Sequence, residues 1–376
     1  MTGRGTGGRW VLGLAAPLLA VLFAVLLSSV VLLAVGNDPV LAFEKMASYG
    51  VQPRSVALTV NLATIYYLSA LAVAIGFRMN LFNIGVDGQY RLAAFLAAAV
   101  GGAVTLPKPL HILLIVAVAV VVGASWAALA ALLKVTRGVS EVISTIMLNA
   151  IATQVVAYLL NPNRLAVSVA GSNNIGTRPI GPSGQFPGIP YPGSSTPVFG
   201  FLVVAVLCGI GYGVLLNRTR FGFDLRATGL SESAAVVSGV NVRRMVLTAM
   251  VLSGAVAGLV GMPQLLGASY SYSLDFPAGL GFTGIAVALL GRNHPVGIGL
   301  GALLFGFLET SSQILDLEGI PREIVAIMQG TIVLSVVVAY ELVRRYRLVL
   351  EQRQVGQALS GGPAGGPGLP AEGVPA

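Results

Sequence analysis

Ten long apolar runs leave this chain few ways to fold. They fall near residues 10–35, 56–77, 83–104, 111–133, 142–160, 198–216, 245–266, 276–290, 296–315 and 324–342, and a helix needs roughly 20 apolar residues to cross the hydrocarbon core of a bilayer. With 55% hydrophobic and 10% charged residues, the chain lacks the polar surface of a soluble domain. The expected fold class is therefore all-α, a polytopic membrane protein of about ten transmembrane helices with lipid as its surroundings. The first run follows Arg4 and Arg9 and extends from Trp10 to Val35, longer than the roughly 7–15-residue core of a cleaved leader, so it reads as a retained helix.

The formal charge of +8 does not point to nucleic acid, because the basic residues sit at the ends of apolar runs and form no stripe. They report topology instead, since short cytoplasmic loops are enriched in Lys and Arg. With both termini inside, 16 of the 22 Lys and Arg face the cytoplasm and Lys45, Arg54, Lys108, Arg164, Arg178 and Arg322 face outward. Arg91 is counted inside although it lies within the third run. A multi-pass protein of the cell membrane follows.

The Pro- and Gly-dense segment 161–197 reads as an irregular outer loop, either a contact for an external partner or a passive connector. It divides the runs five and five, into halves of about 10–160 and 198–342. An odd number per half makes the second copy enter the membrane from the opposite side, the inverted-repeat plan of many transporters, in which interrupted segments at matching places mark the substrate path. The third and eighth runs match in order, and both are interrupted, by "FNIGVDGQY" at 82–90 and by Pro277, Gly279, Gly281 and Gly284. No residue-level identity between the halves accompanies that order.

Non-helical backbone at membrane depth is tolerated where protein or a water-filled cavity satisfies it. Phe82, Asn83, Asp87, Gln89 and Tyr90 of the third run, with Phe276, Gly281 and Thr283 of the eighth, are thus candidate pathway residues. The competing reading is structural, with Asp87 paired to Arg91 at i, i+4 and the glycines serving close packing. Gly254 with Gly258 and Gly297 with Gly301 have the spacing of helix contacts within one chain. Glu309, another acid inside a run, either lines a pathway or bonds Ser or Thr on a neighbour. Tyr66, Tyr67, Tyr90, Tyr270 and Tyr272 lie near the proposed path, although interfacial belts also explain such tyrosines.

None of the three lysines, Lys45, Lys108 and Lys134, sits in a phosphate-cradling motif. No Cys/His cluster has metal-ligand spacing, and Cys208 has no partner for a disulfide. No catalytic residue, metal or cofactor is expected, and ATP, if used, binds elsewhere. Glu141 has the place of a first-turn acid. The cytoplasmic loop 217–245 carries five arginines and a helix-favouring stretch at 232–237, while the Gly- and Pro-rich tail from 354 to 376 reads as disordered.

"FNIGVDGQ" at 82–89, "EVISTIMLNAIA" at 141–152, "DLRATGLSESAAVVSGVNV" at 224–242 and "GFTGIAVALLGRNHPVG" at 281–297 together resemble the permease subunits of ATP-binding-cassette importers of the nucleoside and simple-sugar branch. The resemblance runs in order from about residue 50 to 340. It implies that 217–245 carries a coupling helix with the pattern E-A-A-x-x-x-G. Ala234, Ala235 and Gly239 match that spacing, whereas Glu232 stands one residue early and Ser233 occupies the Glu place. Arg226 and Gly229 belong to the same expected coupling region. The implied partners are ATPase subunits, a second permease, identical or homologous, and an extracytoplasmic solute-binding protein. An ion-coupled carrier using Asp87 or Glu309 is the alternative reading of the sequence.

Overall fold

A computed structural model of the chain describes residues 22–168, 174–321 and 323–336, with 338, 339, 342 and 345 beyond them. The start of the first run and the 354–376 tail lie outside the described residues. The helices are α1 (Leu22–Ala34), α2 (Pro39–Gly50), α3 (Pro53–Phe77), α4 (Val86–Ala103), α5 (Lys108–Arg137), α6 (Glu141–Leu159), α7 (Leu202–Arg218), α8 (Arg220–Leu230), α9 (Glu232–Val237), α10 (Val242–Gly258), α11 (Met262–Gln264), α12 (Leu280–Leu290), α13 (Pro295–Leu317) and α14 (Glu323–Val336). A π-helical turn, Leu265–Ser269, prolongs α11, and strands of two residues, 167–168 and 175–176, pair antiparallel in the long loop.

Each of the ten apolar runs contains a helix. By length and composition α3, α5, α6, the stretch Val242–Ser269 and α13 are each sufficient to cross a membrane, and the bent pairs α1–α2 (116°) and α7–α8 (72°) qualify together. The chain is an all-α, polytopic membrane protein. The eighth run falls short of its expected extent, because residues before Leu280 are not helical and the 11 residues of α12 span only about 16 Å.

Helix α3 is buried over most of its length and packs against α10, α12 and α13, while α5 packs along α10 and α4. Small residues set the closest approaches. A Cβ on Gly123 of α5 would lie 2.3 Å from the carbonyl oxygen of Gly254, and one on Gly258 would lie 2.1 Å from that of Ala119. A Cβ on Gly306 of α13 would likewise meet the Thr59 carbonyl of α3 at 2.7 Å. The fourth run thus presses on the seventh through a mid-helix glycine, and the ninth presses on the second in the same way.

Helix α2 carries no apolar run and lies outside the ten expected helices. Its start is nonetheless written locally, with Asp38 accepting from Val40 N and Pro39 fixing the first turn. Ala42 and Met46 bury against α13 near Leu308 and Leu315, and Lys45 pairs with Glu318 at 2.6 Å.

Contacts between helix ends sort the molecule into two faces. On one, Arg78 and Tyr212 both donate to the Asn293 carbonyl (2.7 and 2.9 Å), and Lys134 meets Glu141 at 2.6 Å. On the other, Asn61 donates to the Pro197 carbonyl and accepts from Phe199 N, and His111 bridges Ser183 and the Gly101 carbonyl. Arg91, counted with the first face from sequence, does not lie there. Its guanidinium donates to Thr153 Oγ1 at 3.1 Å, 12 residues or about 18 Å along α6 from Glu141, because Asp87 in the span interior holds it.

Candidate functional site

The chain leaves the helix after Phe77 because Asn80 takes a left-handed conformation (φ 57°) and Leu81 N turns back to the Gly76 carbonyl. The freed backbone is then met by side chains. Asn83 Oδ1 accepts from Gly85 N at 3.1 Å, and its amide exchanges two bonds with that of Gln89 (3.1 and 3.0 Å). Asn83 also donates to Ser253 Oγ, which donates to the Ala72 carbonyl. From α6, Asn149 accepts from Gly88 N and donates to the Ile84 carbonyl. Every bond here has a protein partner, as buried backbone requires.

Helix α12 begins the same way. Gly279 takes φ 80°, a conformation glycine adopts without strain, and Gly281 N then donates to Asp87 Oδ1 at 3.4 Å. A Cβ at Gly281 would lie 2.4 Å from Asp87 N. Asp87 is in the first turn of α4, so two helix N-termini converge on one buried carboxylate, which their dipoles favour. Tyr90 closes the junction by donating to the Pro277 carbonyl at 2.8 Å, and Arg91 stands 3.9 Å from Asp87.

The structure therefore brings Asp87, Tyr90 and Gly281 together and joins Asn83 to Gln89 beside them. Asn83, Gln89 and Tyr90 are at most 1% exposed. Phe276 stacks on Tyr272 at 4.6 Å, and half-buried Thr283 donates to the Gly279 carbonyl. Phe82 stands apart, 47% exposed, with its N–H donating to Glu141 at 3.5 Å. Reasoning from sequence does not single out Asn149 and Ser253, although each is a polar side chain in an apolar run.

The long loop of the other face is not a loose connector. Thr177 N and Ile180 N donate to the carbonyls of Tyr272 and Tyr270, and Phe186 N to that of Leu266, so it is stitched over the end of the seventh run. Glu309 bonds no Ser or Thr side chain among the described residues; it is exposed on α13 and accepts from Gln329 of α14 at 3.3 Å.

At the opposite end, Thr219 caps α8 and Arg226 donates to the Leu216 carbonyl, closing the end of α7. Ser231 caps α9 by accepting from Ala234 N, and Gly239 (φ 83°) follows its end. Ala235 is buried, whereas Glu232, Ala234 and Val237 face outward. Leu230 and Val237 are 90% and 89% exposed. Gly229 lies against the turn after α3. A Cβ there would come 2.4 Å from the Arg78 carbonyl oxygen, and its own carbonyl accepts from Asn80 Nδ2 at 3.4 Å.

The family model described as branched-chain amino acid transport system, permease component, matches residues 55–337. The chain is 36% identical over 290 residues to the guanosine ABC transporter permease protein NupP of Bacillus subtilis, covering 76% of this chain and 82% of that one. It is 32% identical over 336 residues to the nucleoside ABC transporter permease protein NupB of Lactococcus lactis, covering 86% and 90%. Over 344 residues it is 31% identical to the glucose ABC transporter permease protein TsgB13 of Haloferax volcanii, covering 88% and 89%. No solved structure matches. On the strength of these matches the chain belongs to the ABC transporter permeases of the branched-chain amino acid permease-component family.

Proposed function

We propose that this permease forms the translocation pathway of an importer for a nucleoside-like or simple-sugar solute, with the broken third and eighth runs at its centre. The similarity to permeases named for guanosine, nucleosides and glucose supports that solute class. The α8–α9 face is cytoplasmic, which agrees with the arginines gathered there: Arg218, Arg220, Arg226, Arg243 and Arg244. Two halves of five helices, 10–160 and 198–342, lie inverted to each other, and the loop 217–245 couples them to ATPase subunits. A second permease and an extracytoplasmic binding protein complete the assembly.

The observation that carries the coupling role is the exposure of Leu230 and Val237 beside a capped six-residue helix. Apolar side chains so placed at a membrane protein's aqueous end fit a protein partner. ATP binding and hydrolysis in that partner would favour one access state over the other through the contacts each state makes with α9. Asp87, Tyr90 and Gly281 form the junction whose rearrangement changes access, with Asn83 and Gln89 holding its backbone, Phe276 and Thr283 flanking it, and exposed Phe82 standing at the approach to it. Uptake of labelled adenosine and glucose by cells carrying the transporter tests the reading. Transport is expected to stop on ATP depletion and to survive collapse of the ion gradients; the reverse would overturn it.

A further inference from the structure

Two cavities of opposite character meet where α8 and the start of α10 come together. The first, of about 420 Å³, is polar, with Arg220 and Asp224 of α8 and Asn241, Arg244 and Thr248 beside them in its wall. The second, of about 270 Å³, is walled by Leu215 of α7 and by Val251, Leu252 and Ala255 of α10. Phe221 and Thr248 line both, so the two abut. Ala255 stands about 10 Å beyond Thr248 along α10, which carries the apolar slot from the helix start toward the membrane interior.

The polar cavity is short of counter-charge. Neither the Arg220 nor the Arg244 guanidinium forms an ion pair or hydrogen bond among the described residues, whereas nearby Arg226 is engaged by the Leu216 carbonyl. Asp224, one turn along α8 from Arg220, also lacks an ion-pair partner among the described residues, which leaves the wall with two cations against one anion. Helix α8 departs from α7 at 72°, so with α7 across the bilayer it runs closer to the membrane surface, and its Phe223 is 63% exposed. Exposed aromatic and basic side chains on such a helix suit the level of lipid headgroups.

We infer that this pair of cavities binds an anionic phospholipid of the inner leaflet, its phosphate held by Arg220 and Arg244 and one acyl chain lying in the slot between α7 and α10. Guanidinium forks match phosphate oxygens, and basic pockets between helices at the cytoplasmic level suit anionic headgroups. Asp224 and Asn241 can accept from headgroup hydroxyls, which favours a glycerol headgroup. A free phosphate or an acidic protein side chain would leave the apolar slot unused. The site rests on the cytoplasmic placement of α8–α9 proposed above and is independent of the solute carried.

Native mass spectrometry of the full-length chain in detergent, titrated with phosphatidylglycerol, tests this. Phosphatidylglycerol should bind about tenfold more tightly than phosphatidylcholine or phosphatidylethanolamine, and Arg220→Gln/Arg244→Gln should lower that affinity about tenfold or more. Both arginines are exposed and unpaired, so the variant should fold, which its size-exclusion profile checks. Arg218→Gln/Arg243→Gln removes the same charge from exposed residues outside the cavity and should leave binding within about twofold of wild type. Equal losses from the two pairs mean diffuse attraction and overturn the site, as does equal retention of the three lipids. Displacement of the lipid by millimolar glycerol 3-phosphate reassigns the cavity to a soluble phosphate and overturns the lipid. Ser233→Cys in a Cys208→Ser background should react with a membrane-impermeant thiol reagent only after cells are broken. Reaction in intact cells overturns the inner-leaflet placement and the cytoplasmic reading of α8–α9, a result separate from any loss of lipid binding.

Discussion

Asp87 Oδ1 accepts the Gly281 N–H at 3.4 Å across 194 residues of sequence, which brings the start of α12 onto the first turn of α4. Both helices would otherwise present unsatisfied N–H groups and positive dipole ends to each other inside the membrane. The carboxylate between them makes that meeting favourable, and it explains why an acid stands in so apolar a chain.

Replacing Asp87 by Asn keeps the shape and removes the charge. Dipole interactions reach up to about 2 kcal/mol each in partly buried settings, so Asp87→Asn should destabilise the protein by roughly 1–3 kcal/mol. Thermal melting of the detergent-solubilised protein checks this. An unchanged Tm would mean that the two helix ends are not balanced by this charge.

Glycines can be told apart by what surrounds them. Gly281→Ala drives a Cβ to 2.4 Å from Asp87 N, backbone that cannot step aside, and should cost about 2 kcal/mol or more with loss of folded protein. Gly211→Ala in α7 meets nothing within 4 Å and should be neutral or stabilising by up to about 1 kcal/mol. Size-exclusion yield and Tm of the two variants separate these cases.

The paired amides of Asn83 and Gln89 predict strong coupling. Asn83→Ala leaves the Gln89 amide and Gly85 N short of a partner and should cost about 1–3 kcal/mol. The double variant Asn83→Ala/Gln89→Ala should cost less than the sum of the single variants, because one loss already breaks the pair. Additive shifts in a double-mutant cycle would refute the mutual dependence.

Leu230 and Val237 offer a separation of transport from folding. Both are nearly fully exposed, so Leu230→Asp and Val237→Asp should leave stability within about 0.5 kcal/mol of wild type. Uptake should fall about tenfold or more if they anchor the ATPase contact. Surface expression measured alongside uptake distinguishes lost coupling from lost protein.

Much of the architecture can be read from the chain because membrane crossings advertise themselves by uninterrupted apolar length, and each of the ten runs holds a helix. The breaks at 78–85 and before Leu280 are legible through Asn, Gly and Pro. Helix α2 is not, since its 12 residues include Glu44, Lys45 and Ser48 and it owes its burial to α13. The meeting of Asp87 with Gly281, and of Glu309 with Gln329 rather than a hydroxyl, depends on which helices lie side by side. Spacing along one segment carries no record of that. Charge counting misplaces Arg91 for a related reason: it assumes water, whereas this guanidinium is held by an acid inside the span.

Gly229 rests on the turn that ends α3, and only six residues separate Asn80, which bonds its carbonyl, from Asp87. They hold no helical turn before Val86, and Asn83 and Asn149 fix them at Gly85 and Ile84. The path from the turn after α3 to the paired helix starts is consequently a short, taut tether, with little slack to absorb a shift of α8 before Asp87 is displaced.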